Sequence, residues 1–442
     1  MTVLIDSPFV LPCGQKLRNR IVKAAMTEGV ADGLNRATHR HAILYRHWAA
    51  TGAGVLLTGN VMVDHDVLER PGNIVIDGRH PHTYDREARA QLATFSAAAR
   101  SGGGEAWMQI SHAGRQSPRY VTRTPRAPSP VSVDLLGLYA QPVALHIDEL
   151  PELVQRFAFA AEIARDTGFT GVQVHSAHGY LLSSFLSPHA NRRDDAYGGP
   201  IENRARLLIE ILRATRQRVG ADFAISVKLN SDDFRKGGFS QQDCLAVVAM
   251  LNQEGIDCLE ISGGTYEQPR LLGFEGKPGS VVAVRESTRS REAYFLAYAE
   301  ELRKVAAMPI MVTGGFRTRA GMNEALADDA CDLVGVARPF MTASSSVRSM
   351  LEGQLDELPS PERQQFLRAK GIWSPTSPFL LGRMLNVMGA VGWSYHQILR
   401  RADGLSPQPE RGLVRSFIQH WLREFSAAWQ MHRVRRRQTA RQ

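Results

Sequence analysis

Eight short apolar runs, rich in valine and isoleucine, recur along the chain with longer amphipathic stretches between them. They are Ile21–Met26, Val55–Asn60, Ala106–Ser111, Gly171–Ser176, Ala224–Asn230, Cys258–Gly263, Pro309–Gly314 and Leu333–Arg338. Runs without polar alternation suit strands buried on both faces, as in a parallel sheet. Leu150–Thr167, Ile201–Val219, Gln241–Glu254 and Glu292–Val305 carry the apolar spacing of helices between them. Eight strand–helix units over roughly 340 residues predict an α/β fold, a closed (β/α)8 TIM barrel, in preference to an open doubly wound sheet. An open dinucleotide-binding sheet calls for G-x-G-x-x-G after its first strand; here Met26-Thr27-Glu28-Gly29 follows. The barrel is assigned residues 1–356, and residues 357–442 form a helical C-terminal extension with a basic tail.

In a TIM barrel the working side chains gather at the C-terminal ends of the strands. The chemically loaded residues fall there: Thr27 after the first run, Gln109 and His112 at the third, and His175, His178 and Tyr180 after the fourth. Lys228 lies near the end of the fifth, Gly314 and Gly315 follow the seventh, and Arg338 closes the eighth. The Pro118–Pro142 segment and Gly264–Ser290 are longer than ordinary connections, which marks them as candidate lids or links.

Charge narrows the partners. The chain carries 53 basic and 44 acidic residues in 442, a net of +9. From Arg401 onward nine residues are basic and three acidic, so the excess belongs largely to the tail. The barrel itself therefore gives no reason to expect nucleic acid. Cys13, Cys244, Cys258 and Cys331 are too scattered for a disulfide framework or a metal cluster, which suits a reducing cytoplasm. The start lacks a basic n-region, and no apolar run is long enough for a span, so neither a secretory signal nor a transmembrane helix is expected.

Two ligand sites can be read from the strand ends. Thr313-Gly314-Gly315-Phe316, with Thr318 able to cap the next helix, offers backbone amides to an anion. Arg338 on the neighbouring stave adds a forked cation, so a phosphate is expected between the seventh and eighth loops. The second site is His175-Ser176-Ala177-His178-Gly179-Tyr180, where two imidazoles could hold an oxyanion and a phenol could deliver a proton. Zinc is the competing reading, with His112 as the third ligand; buried structural histidines are another. A flavin mononucleotide gives the remaining polar residues work: Gln109 at its pyrimidine edge, Lys228 at its N1–C2 edge, and Thr27 donating near its C4 carbonyl.

The chain resembles the Old Yellow Enzyme family of FMN-dependent ene-reductases, also described as NADH:flavin oxidoreductases. The resemblance spans roughly Pro8 to Met341. It rests on Leu17-Arg18-Asn19-Arg20-Ile21-Val22 with Ala25-Met26-Thr27, on Gln109-Ile110-Ser111-His112-Ala113-Gly114-Arg115, and on His175 through Leu182. Asn191-Arg192-Arg193-Asp194-Asp195-Ala196-Tyr197-Gly198-Gly199 and Thr313-Gly314-Gly315 extend it. The resemblance implies FMN contacts from Ala25, Met26, Thr27, Gly59, Gln109, Lys228, Gly315, Ala337 and Arg338. It implies substrate oxygen binding by His175 and His178, proton donation by Tyr180, and NAD(P)H as reductant of an electron-poor alkene. Three positions depart from the family: Gly29 replaces a substrate-lining tyrosine of one branch, Lys228 a frequent arginine, and Ala337 a common glycine.

Rival functions stay open at this stage. They are flavin-dependent oxidation of amines or dehydrogenation of saturated ketones, a flavin-free lyase using Lys228 as a Schiff-base amine, and an inert barrel serving as a scaffold. In the extension, Leu413, Val414, Phe417, Ile418, Trp421, Leu422, Phe425 and Trp429 recur at helical spacing. That helix could pack on the barrel or on a sister subunit of a homo-oligomer, lie on a membrane surface, or dock a partner.

Overall fold

In the computed structural model, residues 3–135, 137–234, 236–262 and 298–439 are described. The eight runs form strands β1 (Ile21–Lys23), β2 (Val55–Met62), β3 (Glu105–Ser111), β4 (Gly171–Ser176), β5 (Ala224–Asn230), β6 (Cys258–Ser262), β7 (Ile310–Thr313) and β8 (Leu333–Val336). Each pairs in parallel with its neighbours, and β1 lies between β8 and β2, so the sheet closes into the expected barrel. β1 and β8 are shorter than their apolar runs, because the chain leaves the sheet soon after Lys23 and Val336.

Helices α1 (His39–Ala49), α2 (Arg86–Arg100), α3 (Leu150–Asp166), α4 (Ile201–Val219), α5 (Gln241–Leu251), α6 (Arg319–Ala327) and α7 (Ser344–Leu351) surround it. Local chemistry sets several of their starts. Asp85 accepts from the Ala88 amide at 2.8 Å to begin α2, and Ser240 with Asp243 forms a capping box on α5. The expected gate at Gly264–Ser290 lies outside the described residues, as do residues 292–297 of the helix expected over Glu292–Val305; residues 298–303 of that helix are helical. The Pro118–Pro142 segment is tied down by a two-residue strand pair, its Arg126–Ala127 with Val143–Ala144 just beyond it, and buries Val121, Ala127 and Ser129.

Period-two alternation divides the barrel interior. Val22, Val55, Leu57, Trp107, Ala224, Cys258, Met311 and Leu333 fill its lower half. Leu11 and Leu17 of an N-terminal hairpin join that cluster and floor the barrel. Gly171 makes room for Trp107: a β-carbon there would sit 2.6 Å from the indole Cδ1 and 2.9 Å from the Ala224 Cβ.

The extension adds α8 (Leu380–Ala402) and α9 (Leu413–Thr439), with Gly389 against Leu413 and Gly392 against Ser416. α9 packs on the barrel through Glu424, Ala428 and Met431, the last joining Met62, Val67, Leu68, Val75, Ala113 and Val121. Of the readings left open for this helix, packing on its own barrel accounts for this face. No described helix is long and apolar enough to cross a membrane.

Gly171→Ala is expected to lower unfolding free energy by about 1–3 kcal/mol, the usual range for overpacking a filled core. Urea denaturation checks it; an unchanged midpoint would mean that Trp107 does not depend on the missing β-carbon.

Candidate active site

The alternation that puts apolar side chains in the barrel floor puts polar ones two residues further along the same strands. Gln109 follows Trp107, Gln173 follows Gly171, Ser226 and Lys228 follow Ala224, and Glu260 follows Cys258. They join into one chain across the upper interior. Gln109 Nε2 donates to Gln173 Oε1 at 2.7 Å, and Gln173 Nε2 donates to Glu260 Oε2 at 2.9 Å and to Ser226 Oγ at 3.2 Å. Lys228 Nζ lies 2.9 Å from Glu260 Oε1 as an ion pair. Gln173 and Glu260 escaped the sequence reading, although their place two residues beyond each floor residue marks them.

β1 and β2 are locked together behind the site by a second buried group that the sequence reading missed. Glu28 accepts from the Tyr45 hydroxyl at 2.5 Å and the Gly59 amide at 2.7 Å. Lys23 donates to the Leu57 carbonyl at 2.6 Å and to Tyr45 Oη at 3.1 Å. Gly59 is obligatory, since a β-carbon would sit 2.5 Å from both Glu28 Oε2 and Thr27 Cα. Ala25, Met26 and Thr27 are thereby held along the mouth beside it. The Thr27 hydroxyl donates to Glu69 Oε2 at 2.7 Å.

On the other flank of β1, Gly314 and Gly315 follow β7 with φ of +117° and +84°, a conformation that glycine adopts without strain. Thr318 caps α6, its Oγ1 accepting from the Gly321 amide at 3.1 Å. Arg338 lies two residues beyond β8 at the start of a short helix, half-exposed and 3.6 Å from Glu362. Arg317, which the sequence reading omitted, pairs with the same carboxylate at 2.7 Å. Ala337 precedes Arg338 with φ −116° and ψ −71°.

His175, His178 and Tyr180 converge after β4. The His175 ring centroid is 5.3 Å from that of His178 and 4.9 Å from that of Tyr180, both edge-on. His175 Nδ1 accepts from the Ala177 amide at 3.2 Å, which puts the proton of a neutral ring on Nε2. His178 sits at φ +61°, strained for a side chain of its size. Its amide donates to Asn230 Oδ1 at 3.0 Å, its carbonyl accepts from Gln116 at 2.6 Å, and its Nε2 lies 2.7 Å from Ser262 Oγ. Burial pushes both imidazoles well below their usual range; Lys228 acts on both in the same direction, and His178 on His175. Two neutral rings result. His112, the third ligand of the zinc reading, is engaged elsewhere: its Nε2 faces Asp64 at 3.5 Å and its Nδ1 accepts from Gly114 at 3.0 Å.

One barrel end thus combines a glycine-lined anion cradle with an arginine, an amide edge, a buried lysine and paired neutral imidazoles beside a phenol. These residues fit FMN: the first group suits its phosphate, and Gln109 and Lys228 suit its ring edge. The NADH:flavin oxidoreductase / NADH oxidase family profile matches residues 7–356. The chain belongs to that family.

Among its relatives, the NADH-dependent flavin oxidoreductase iliE of Hypocrea jecorina is 35% identical, over 75% of this chain and 85% of that protein. The protein of the same name from Neonectria sp. is 36% identical over 75% of this chain, which spans only 45% of its length. The Old Yellow Enzyme homologue of Zymomonas mobilis superposes with a TM-score of 0.65 at 24% identity, covering 80% of this chain and 94% of that one. That likeness carries the fold. Family membership makes the protein an oxidoreductase that uses FMN with NAD(P)H as reductant. The flavin-free lyase and the inert scaffold are thereby set aside.

Lys23 supplies a test of the buried network. Burial pushes its ammonium down to about 7, with Glu28 opposing and Lys228 reinforcing the shift. An unfolded lysine titrates near ~10.4, so above the folded value the unfolded chain binds a proton that the folded chain lacks, and stability rises with pH. Between about pH 7 and 9 the wild type should therefore gain up to ~1.4 kcal/mol per pH unit relative to Lys23→Met. Urea unfolding across that range reads the slopes, and parallel curves would refute the assignment.

Proposed function

We propose that the protein reduces electron-poor alkenes, chiefly α,β-unsaturated carbonyl compounds, with His175, His178 and Tyr180 as the groups that act on substrate. The observation that carries this reading is the packing of two neutral imidazoles and a phenol at one strand end. Bound FMN would supply a hydride, taken from NAD(P)H, to the alkene β-carbon. His175 Nε2–H and the free nitrogen of His178 hold the carbonyl oxygen, and their hydrogen bonds strengthen as enolate charge builds there. Neutral rings suit that work, because they donate without releasing their proton to the oxygen. A donor of this kind is typically worth about 3–4 kcal/mol in the transition state. The Tyr180 hydroxyl delivers a proton to the α-carbon.

Ala25, Met26, Thr27, Gly59, Gln109 and Lys228 would hold the flavin ring, while Gly314, Gly315, Ala337 and Arg338 would hold its phosphate. Lys228 places a positive charge where a reduced ring becomes anionic, and Glu260 keeps the ammonium aimed across the barrel.

Purified protein should be yellow, and NADH or NADPH should bleach it anaerobically. Tyr180→Phe is expected to leave that reductive step within a few-fold of wild type and to slow cyclohexenone reduction by about 10²–10⁴-fold, the usual worth of a general acid. Equal losses in both half-reactions, read by stopped flow, would remove Tyr180 from the proton-donor role.

The histidines make a separate prediction. Both titrate well below 6.5, so phenol binding to the oxidised enzyme should follow the ionisation of the phenol, with no inflection near that pH. His175→Ala or His178→Ala should weaken the long-wavelength phenol band by about 10- to 100-fold in Kd, the worth of a hydrogen bond to an anion. An inflection near 6.5 in the wild type, lost in either variant, would show that a charged imidazole binds the ligand.

A further inference from the structure

The face of α9 that the barrel does not cover is apolar. Val414, Ile418, Leu422, Phe425 and Trp429 follow one another at spacings of four, four, three and four, which places them along one side of the helix. All five are more than half exposed, Leu422 reaching 66% and Trp429 61%. The buried contacts with α8 and the barrel use the other side, through Leu413, Ser416, Glu424, Ala428 and Met431; of the stripe, Phe425 also meets the Tyr120 ring edge-on at 5.5 Å and stays half-exposed. A surface helix needs only one apolar side to pack on its own domain; this one has a second.

The stripe runs into a basic groove. Arg119 and Arg123 from the β3 loop and Arg433, Arg436 and Arg437 from the end of α9 line a cleft of about 1140 Å³ with Trp429. No described carboxylate lies within ion-pairing distance of Arg433, Arg436 or Arg437, and the Arg433 guanidinium sits over the Trp429 ring at 5.3 Å. Asp66 in the same groove faces Arg435 at 3.7 Å and His65 at 3.1 Å.

We propose that this surface docks on an anionic phospholipid bilayer, with the stripe in the acyl boundary and the arginines among the headgroups. An apolar side flanked by arginine, with tryptophan at the junction, is the composition of helices that lie in the membrane interface. Charge complementarity selects the occupant. A second copy laid over the stripe would leave each arginine groove without counter-charge, whereas an anionic bilayer meets stripe and groove together.

Co-sedimentation of the intact protein with vesicles tests it. The wild type should pellet with vesicles of equal phosphatidylglycerol and phosphatidylcholine and remain in solution with phosphatidylcholine alone. Arg433→Glu, Arg436→Glu and Arg437→Glu together should lower binding by at least about fivefold per charge removed. Leu422→Glu with Trp429→Glu should abolish it, with NADH-dependent flavin reduction and Tm held near wild type, since both side chains are exposed. The proposal fails if the wild type stays in solution with anionic vesicles. It fails too if the apolar double variant binds as well as wild type, which would mark a general basic attraction. A dimer in velocity sedimentation that Leu422→Glu converts to monomer, without vesicle binding, would assign the stripe to a second copy.

Discussion

A closed eight-stranded barrel must fill its own interior, and much of this molecule follows from how that interior is divided. Strand side chains alternate in and out, so each strand contributes inward residues in layers two positions apart. The lower layer is apolar, sealed by Trp107 over the bare Gly171 and by the N-terminal hairpin. The layer above it is polar and cannot be left unsatisfied at such burial. The run from Gln109 through Gln173 and Glu260 to Lys228 answers that demand, with each link supplied by a different strand. Its members hold one another in place and present a polar, charged floor to whatever lies across the mouth.

The histidines depend on that floor in a second way. Lys228 helps to push His175 and His178 down, but it does so from within an ion pair, so the site holds a cation and two neutral donors side by side. The arrangement separates two tasks. In the proposed reaction the fixed positive charge would answer an anionic ring, while the neutral imidazoles would answer a charge that grows on the substrate. The strained backbone at His178 is the cost of aiming the second ring, and Asn230, Gln116 and Ser262 offset it from three directions.

Much of this was legible in the sequence because period and turn chemistry are local signals. β4, β5 and α4 occupy the anticipated residues, and the glycine pair follows β7 as anticipated, turning at positive φ. What sequence could not supply was partnership. Glu28 reads as one acidic residue in a loop, yet it joins the β1 exit to the Gly59 amide. Glu69 reads likewise, yet it accepts a hydrogen bond from the Thr27 hydroxyl. Glu362, beyond the matched family profile, shares its carboxylate between Arg317 and Arg338 beside the expected phosphate turn. Each is a long-range pairing of a common residue type, and no periodicity announces it.

The extension shows why such pairings matter more than area. Met431 and its aliphatic neighbours would tolerate α9 sliding along the barrel, because apolar contacts are weakly directional. The buried Arg70–Glu424 pair would not. Arg70 stacks on Tyr395 of α8 at 3.5 Å, and Glu424 of α9 also accepts from the Tyr120 hydroxyl at 3.2 Å. Removing either charge would strand the other, so the pair fixes register even where it adds little net stability. The Arg70 guanidinium also lies against Gly29, within 3.3 Å of where a β-carbon would stand. The absence of a side chain two residues after Thr27 therefore has a structural reason here: that space belongs to the arginine that registers the extension on the mouth of the barrel.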